Sequence, residues 1–354
     1  MQIAVILFNL GGPDSLQAVK PFLFNLFNDP NIITLPQPFR YFLAKLISHF
    51  RQEKSRNIYK QMGGKSTILP ETEKQAKALS KLLNQKTSML YDVLPMMRYW
   101  HPMSDIVIKK VRDKKYDRVI LVPLYPHFST TTTFSSLKDW FQKASDIKSD
   151  LVCCYYNHPG FIAAHLDLIK ESLEKFKTKK PIRLLFSAHS IPQKISDGVD
   201  PYKDQIEQTV ALIMQGLPNF AYSLCYQSKV GRLKWLEPSL ENELIATNDR
   251  KESALVIPIA FTSEHSETLV ELDLDYAKLA KEMGLDFCRV PTLSSHPLFI
   301  ATLADLVMNQ LSIDPIYDDY KLYKGYYEEN LNRVCDAKFC CKKLSFYKPK
   351  ASVG

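Results

Sequence analysis

The chain has 354 residues, 45% apolar content, a mean hydropathy of −0.18 and a formal charge of +8, which excludes intrinsic disorder and allows one large apolar core or two medium ones. Its apolar runs are too short to span a bilayer, and the first, IAVILF, follows no basic region, so the expected location is the cytoplasm. From Lys321 onward eight Lys or Arg stand against three Asp or Glu; with the charge concentrated in that tail, no nucleic-acid-binding face is expected and an anionic membrane surface is the better partner.

In chain order, IAVILFNL is a continuous apolar run, the pattern of a strand buried on both faces. It ends in NLGGP, whose two adjacent glycines do not form a G-x-G-x-x-G fingerprint, and no P-loop occurs, so nucleotide cofactors are not supported. An insertion at about 21–59 breaks the rhythm. There Phe39, Phe42, Leu43, Leu46, Ile47 and Phe50 share one helical face, with Arg40, Lys45, Arg51, Lys54 and Arg56 away from it or at its end. Such a stripe describes either a packed core helix or a helix lying in a membrane interface, and both readings stay open. YDVLPMMRY, DRVILVPLYP and DLVCCYY are the next predicted strands, separated by helical patterns such as PMSDIVIKKVRDKK. IRLLFSAHS, AYSLCYQS, SALVIPIAF and FCRVPTL repeat the rhythm, with PYKDQIEQTVALIMQGL between the first two.

Strand and helix in alternation require parallel pairing through right-handed crossovers. Four strands fall on each side of about residue 158. The expected fold is therefore α/β: two similar doubly wound, Rossmann-like parallel-sheet domains at 1–158 and 159–312, a cleft between them, and a basic, Cys-containing extension at 313–354. Ligands bind beyond the carboxyl ends of such strands, which places the cleft at NLGGP, YPHFSTTTTFSS, SAHS, YQSKVG and AFTSEHSE.

FTSEHSETLVELDLDY, Phe261 to Tyr276, sets His265 among carboxylates. Spacings of three, four and four put Glu264, Glu267, Glu271 and Asp275 in one narrow stripe of a helix. Like charges one turn apart each cost a few tenths of a kcal/mol, roughly, so the row is either a solvated face at a helix start or a device for a cation. At LLFSAHSIP, His189 stands where a buried strand ends. By itself it reads as a structural histidine or as a ligand contact. Facing Glu267 across the cleft, it makes an imidazole and carboxylate site with open positions, suited to a loosely held dication such as Fe(II) and to accepting protons. No H-x-x-x-H or H-E-x-x-H occurs, which argues against a closed zinc site. Seven cysteines without an export signal read as core residues, reactive thiols or metal ligands.

The stretches LFNLGGPDS, YKQMGGKS, MRYWHP, PLYPHFSTTTT, LFSAHSIP, GVDPY, YQSKVGRLKWLEP and PIAFTSEHSETLVELDLDY, spread over the chain to about Leu311, resemble the ferrochelatase family. The resemblance implies a lyase of haem biosynthesis that inserts Fe(II) into protoporphyrin IX with release of two protons. It implies that His189 and Glu267 handle the metal and accept protons, and that Glu264, Glu271 and Asp275 form an acidic row leading from them. It also implies that Asn9, Leu10, Arg98, Tyr99, Tyr125, Trp235 and Phe261 line the porphyrin cleft. Arg98 is then a partner for a propionate, or a member of a structural ion pair. Two positions depart from the family pattern: Phe134 stands where glycine is common, which would narrow the pocket, and Glu264 where aspartate is common.

A chelatase for coproporphyrin, or for another tetrapyrrole and metal, remains an alternative, as does a non-catalytic porphyrin carrier. Some ferrochelatases hold a [2Fe-2S] cluster on three C-terminal cysteines and one from the body of the chain; the resemblance makes Cys335, Cys340 and Cys341 the three, the position of the fourth in animal relatives reads His165, and Cys153 or Cys154 would take its place if the tail folds back onto the first domain. The expected partners are a porphyrin and, through 21–59, the cytoplasmic membrane surface, with peripheral attachment and an oligomeric state left open.

Overall fold

β1 (Gln2–Asn9) is buried along its whole length after Gln2, as a parallel strand covered by helices on both faces must be. The computed structural model describes residues 1–311 apart from Val199, Val230 and Arg232. After β1 come α1 (Val19–Phe27), α2 (Phe39–Gln61), α3 (Ile68–Lys86), β2 (Leu90–Met97), α4 (Ser104–Lys114), β3 (Arg118–Pro123), α5 (Thr133–Lys143) and β4 (Asp150–Leu151). The chain continues with α6 (Pro159–Lys175), β5 (Ile182–His189), α7 (Gln193–Ser196), α8 (Tyr202–Gln215), β6 (Ala221–Gln227), α9 (Leu240–Asp249) and β7 (Ser253–Pro258). A π-helix (Glu267–Tyr276), α10 (Ala277–Glu282), β8 (Phe287–Arg289) and α11 (Pro297–Gln310) follow.

All eight predicted strands are present, in two four-stranded sheets of order β2-β1-β3-β4 and β6-β5-β7-β8. Every ladder is parallel, so the two halves share one topology. β4 shrinks to two residues of the expected run, because Cys153 and Cys154 leave the ladder for loop positions. The largest apolar core is continuous between the halves: Leu7, Leu79 and Val122 share it with Phe161, Leu184, Leu255 and Phe299. α11 closes that core by packing on α3 and α6.

Two turns of the first half meet at Gly12, where a Cβ would collide with the Ser66 side chain. Gly11 beside it has φ +84°, so the turn after β1 accepts glycine at both positions for different reasons.

The insertion helix α2 packs on α1; its buried residues are Ala44, Ser48 and Tyr59, Leu43 and Ile47 are half-buried, and the rest of the predicted stripe turns outward. Phe39, Phe42, Leu46 and Phe50 are 67%, 64%, 54% and 74% exposed, so the packed-core reading of this stripe does not hold. Full burial of each such side chain is worth roughly 1.5–3 kcal/mol, and less than half of their surface is covered within the chain. Among the described residues no helix is long and apolar enough to cross a membrane.

Candidate active site

The cleft opens at the carboxyl ends of β1, β3, β5 and β7, the two central strands of each sheet. There the strand order reverses and a doubly wound sheet leaves its crevice. Asn9 ends β1 and Leu10 follows it, Leu124 to His127 and Ser129 follow β3, His189 ends β5, and Ala260 to Ser263, His265 and Glu267 follow β7. Ile191 and Tyr202 add to the wall. The enclosed space is about 240 Å³ and open on one side, so a large flat ligand fills it and extends into the open side, small-molecule sites running from roughly 300 to 1,000 Å³.

On its floor His189 Nδ1 and Glu267 Oε2 lie 2.7 Å apart. Tyr202 donates its hydroxyl to the His189 carbonyl at 3.0 Å, which pins the end of β5. Glu267 Oε2 also accepts the Ser228 hydroxyl at 3.3 Å and faces His265 Nε2 at 3.9 Å. His265 Nδ1 is 2.9 Å from the Ser263 carbonyl; a carbonyl only accepts, so Nδ1 carries the hydrogen and Nε2 is the nitrogen turned to Glu267.

Burial by itself raises the Glu267 carboxyl, but the charge and hydrogen bond of His189, helped by His265 and Ser228, overcome it and hold the group at about 2. Burial lowers the His189 imidazole, and the charge and hydrogen bond of Glu267, with the charge of Glu271, outweigh it and raise it above its ordinary value. Both shifts run toward an imidazolium beside a carboxylate.

The acidic stripe runs along a π-helix rather than the expected α-helix, a geometry that is rare and clusters at functional sites. Glu271 Oε1 accepts the Ser228 N–H at 2.9 Å, and Oε2 takes the Ser228 hydroxyl and Gln227 Nε2. Ser228 adopts φ +66°, an unfavourable conformation for a residue with a Cβ, at the point where both its donors converge on Glu271. Burial and the neighbouring Glu267 charge raise the Glu271 carboxyl. Asp275 is exposed, so Glu267, Glu271 and Asp275 step from the cleft floor to solvent. Glu264 leaves the row: its Oε1 is bonded to Arg289 at 2.8 Å.

Of the residues assigned to the porphyrin wall by resemblance, Leu10, Tyr125 and Phe261 line the cleft, and Asn9 stands at its edge holding the turn, with Oδ1 on Leu10 N–H and Nδ2 on Thr72. Arg98, Tyr99 and Trp235 are not among the described residues lining it. Arg98 makes a structural ion pair with Asp29 at 2.8 Å and bonds Ser135. Tyr99 gives its hydroxyl to the same Asp29 carboxylate, and Trp235 bridges to Pro192 by backbone pairing. Phe134 packs with the apolar cluster around Trp140 and leaves the pocket unnarrowed. Cys154 is half-buried and accepts from Gln205 at 3.7 Å; Cys335, Cys340 and Cys341 lie outside the described residues. Sequence reasoning gave no role to His265, Gln227, Ser228, Tyr202 or Arg289. The strand-end stretches SEHSE and YQS hinted at the first three, but nothing in the sequence marked Arg289.

Twin parallel sheets whose switch points face one cleft, with an imidazole and carboxylate pair on its floor, define a chelatase-like α/β protein. SirB from Bacillus subtilis with Fe3+ aligns over 88% of this chain and 96% of its own, at a TM-score of 0.51 and 10% identity. A multi-domain Deinococcus radiodurans protein with structural similarity to chelatases aligns over 93% of this chain and 59% of its own, at a TM-score of 0.50 and 12% identity. Such identities speak for the fold alone. The chain belongs to the ferrochelatase family, whose model matches residues 2–311. A ferrochelatase of Wolbachia sp. subsp. Drosophila simulans (strain wRi) is 50% identical over 315 residues, covering 87% of this chain and 99% of that protein. One of Rickettsia bellii (strain OSU 85-389) is 45% identical over 341 residues, covering 96% and 94%.

Proposed function

We propose that this chain inserts Fe(II) into protoporphyrin IX, giving protohaem and two protons, with His189 and Glu267 as the groups that meet the metal and take the protons. The observation that carries this reading is the His189 and Glu267 pair, 2.7 Å apart, on the floor of an apolar cleft in a chain of this family. The macrocycle carries two N–H protons inside a ring that must admit a dication, so insertion needs a held ring, a delivered metal and two proton acceptors. Leu10, Tyr125, Ile191 and Phe261 supply the wall that holds the ring. Once His189 has lost its resting proton, its imidazole ligates the metal or takes a porphyrin proton, while Glu267 supplies the anionic charge. Glu271, with its raised carboxyl, is the next acceptor, and Asp275 passes protons to solvent.

Anaerobic steady-state insertion of Fe(II) into protoporphyrin and coproporphyrin by the purified protein tests the reading. A higher kcat/KM for protoporphyrin is expected. Preference for coproporphyrin would transfer the chain to that activity, and binding without insertion would make it a carrier.

The outward face of α2 extends the proposal to location, as a lip lying peripherally on the cytoplasmic face of a membrane where an apolar substrate is delivered. The variant Phe42→Ser/Leu46→Ser should keep its melting temperature within a few degrees, since both side chains are more than half exposed, and lose most of its sedimentation with anionic vesicles. A core pair so truncated would instead cost several kcal/mol, roughly. The tail is decided separately. A [2Fe-2S] cluster on Cys335, Cys340, Cys341 and Cys154 requires about two irons and two sulfides per chain after anaerobic purification, lost in Cys335→Ser; iron-free protein would remove the cluster from the proposal.

A further inference from the structure

Arg289 ends β8, an edge strand of the second sheet, and reaches the segment that bears the acidic row. Its guanidinium is a two-sided clamp. Nε and Nη2 take the two oxygens of Asp273 at 2.6 Å each, and Nη1 donates to Glu264 Oε1 at 2.8 Å. Glu264 Oε1 also accepts the Thr292 N–H at 3.0 Å, while the Glu264 carbonyl accepts the Thr67 hydroxyl from the other half at 2.6 Å. The Arg289 side chain is 11% exposed, and its bidentate fork on Asp273 is a geometry that arginine makes and lysine does not.

Glu264 precedes Glu267 in the chain and Asp273 follows Glu271, so the two arms of the clamp bracket both inner members of the row. A ten-residue π-helix is an unusual conformation, and such conformations persist where the surroundings over-determine them. Resting on the metal-insertion reading above, we propose that Arg289 is a positioning residue: it ties Glu264 and Asp273 to the sheet edge and so sets the turn of the π-helix that aims Glu267 and Glu271 at His189. It is not itself among the described residues lining the cleft, and the two carboxylates it holds are kept out of the row.

The test uses the full chain with Arg289→Gln, Arg289→Lys, Asp273→Asn and the double variant Asp273→Asn/Arg289→Gln. In Arg289→Gln, kcat for Fe(II) insertion should fall about tenfold or more while the Kd for protoporphyrin, from fluorescence quenching, stays within about twofold, because the wall that binds the ring is untouched. Arg289→Lys should recover only a small part of the loss. The double variant should be no worse than the worse single one, since both residues act through one contact. A second readout needs no turnover: amide exchange in the peptide spanning 264–276 should accelerate about tenfold or more in Arg289→Gln, with the strands of the second sheet unchanged. A wild-type protein that inserts no iron would sink the metal-insertion reading and leave the exchange data to decide the clamp. Wild-type kcat together with wild-type exchange in Arg289→Gln would overturn the clamp, and so would loss of protection throughout the chain, which would make Arg289 a general stabiliser.

Discussion

The His189→Ala variant is expected to lose metal insertion by about a thousandfold or more while its affinity for protoporphyrin stays within about tenfold. The imidazole contributes little to the apolar wall, but it is hydrogen-bonded to Glu267 across the cleft, at 2.7 Å. On the proposed reading its removal takes away a metal ligand and a proton acceptor together. The fold should survive, because Glu267 keeps the Ser228 hydroxyl and the β5 end keeps its bond to Tyr202. Near-normal turnover in this variant would mean that the chemistry is done elsewhere in the cleft.

Glu267→Gln should be nearly as severe, with a different signature. The amide keeps the shape and loses the charge that meets the dication. It also reverses the balance on His189: burial, which lowers the imidazole, is then no longer outweighed by the Glu267 charge and hydrogen bond. In the wild-type protein a raised His189 means that the neutral imidazole is present only above the ordinary value of about 6.5, so kcat/KM should rise with pH through a limb above that value. In Glu267→Gln the residual activity should show that limb displaced downward, and His189 followed by NMR should titrate lower. The stability linkage has the matching sign: the raised His189 stabilises the fold at low pH and loses that contribution as pH rises through its folded value, whereas the lowered Glu267 stabilises above its ordinary value and loses it as pH falls toward about 2. Glu271→Gln and Asp275→Asn should have milder effects. Equal activity in all four variants would return the acidic row to a solvated helix face.

The eight strands were legible because each is a run rich in apolar and β-branched residues, almost wholly buried in β1, β3 and β7, and their alternation with helical patterns leaves parallel crossovers as the only economical topology. The location of the cleft followed from the same pattern, since ligands collect at switch points. The acidic residues were visible too, but their grouping was only partly right. Spacing put Glu264 with Glu267, Glu271 and Asp275, whereas a cation brought in from β8 captures Glu264, and no local pattern reports a partner 25 residues away. Helix type was beyond reach for the same reason, because α and π spacing both keep residues four apart close together. Arg98 illustrates the ambiguity of a single cation: Asp29, 69 residues distant, competes for it, and only the folded chain brings them together.

Periodicity therefore determined the sheets, their parallel pairing, the place of the cleft and the amphipathic stripe of α2, since each depends on the order of side chains along a strand or helix. What the tertiary structure decided was direction and partnership. It turned Phe39, Phe42, Leu46 and Phe50 outward while Ala44, Ser48 and Tyr59 face inward, and it set Glu267 between His189 and His265. It also divided the carboxylates between the cleft and Arg289, because electrostatic and packing partners are chosen by proximity in space, which the chain acquires only on folding.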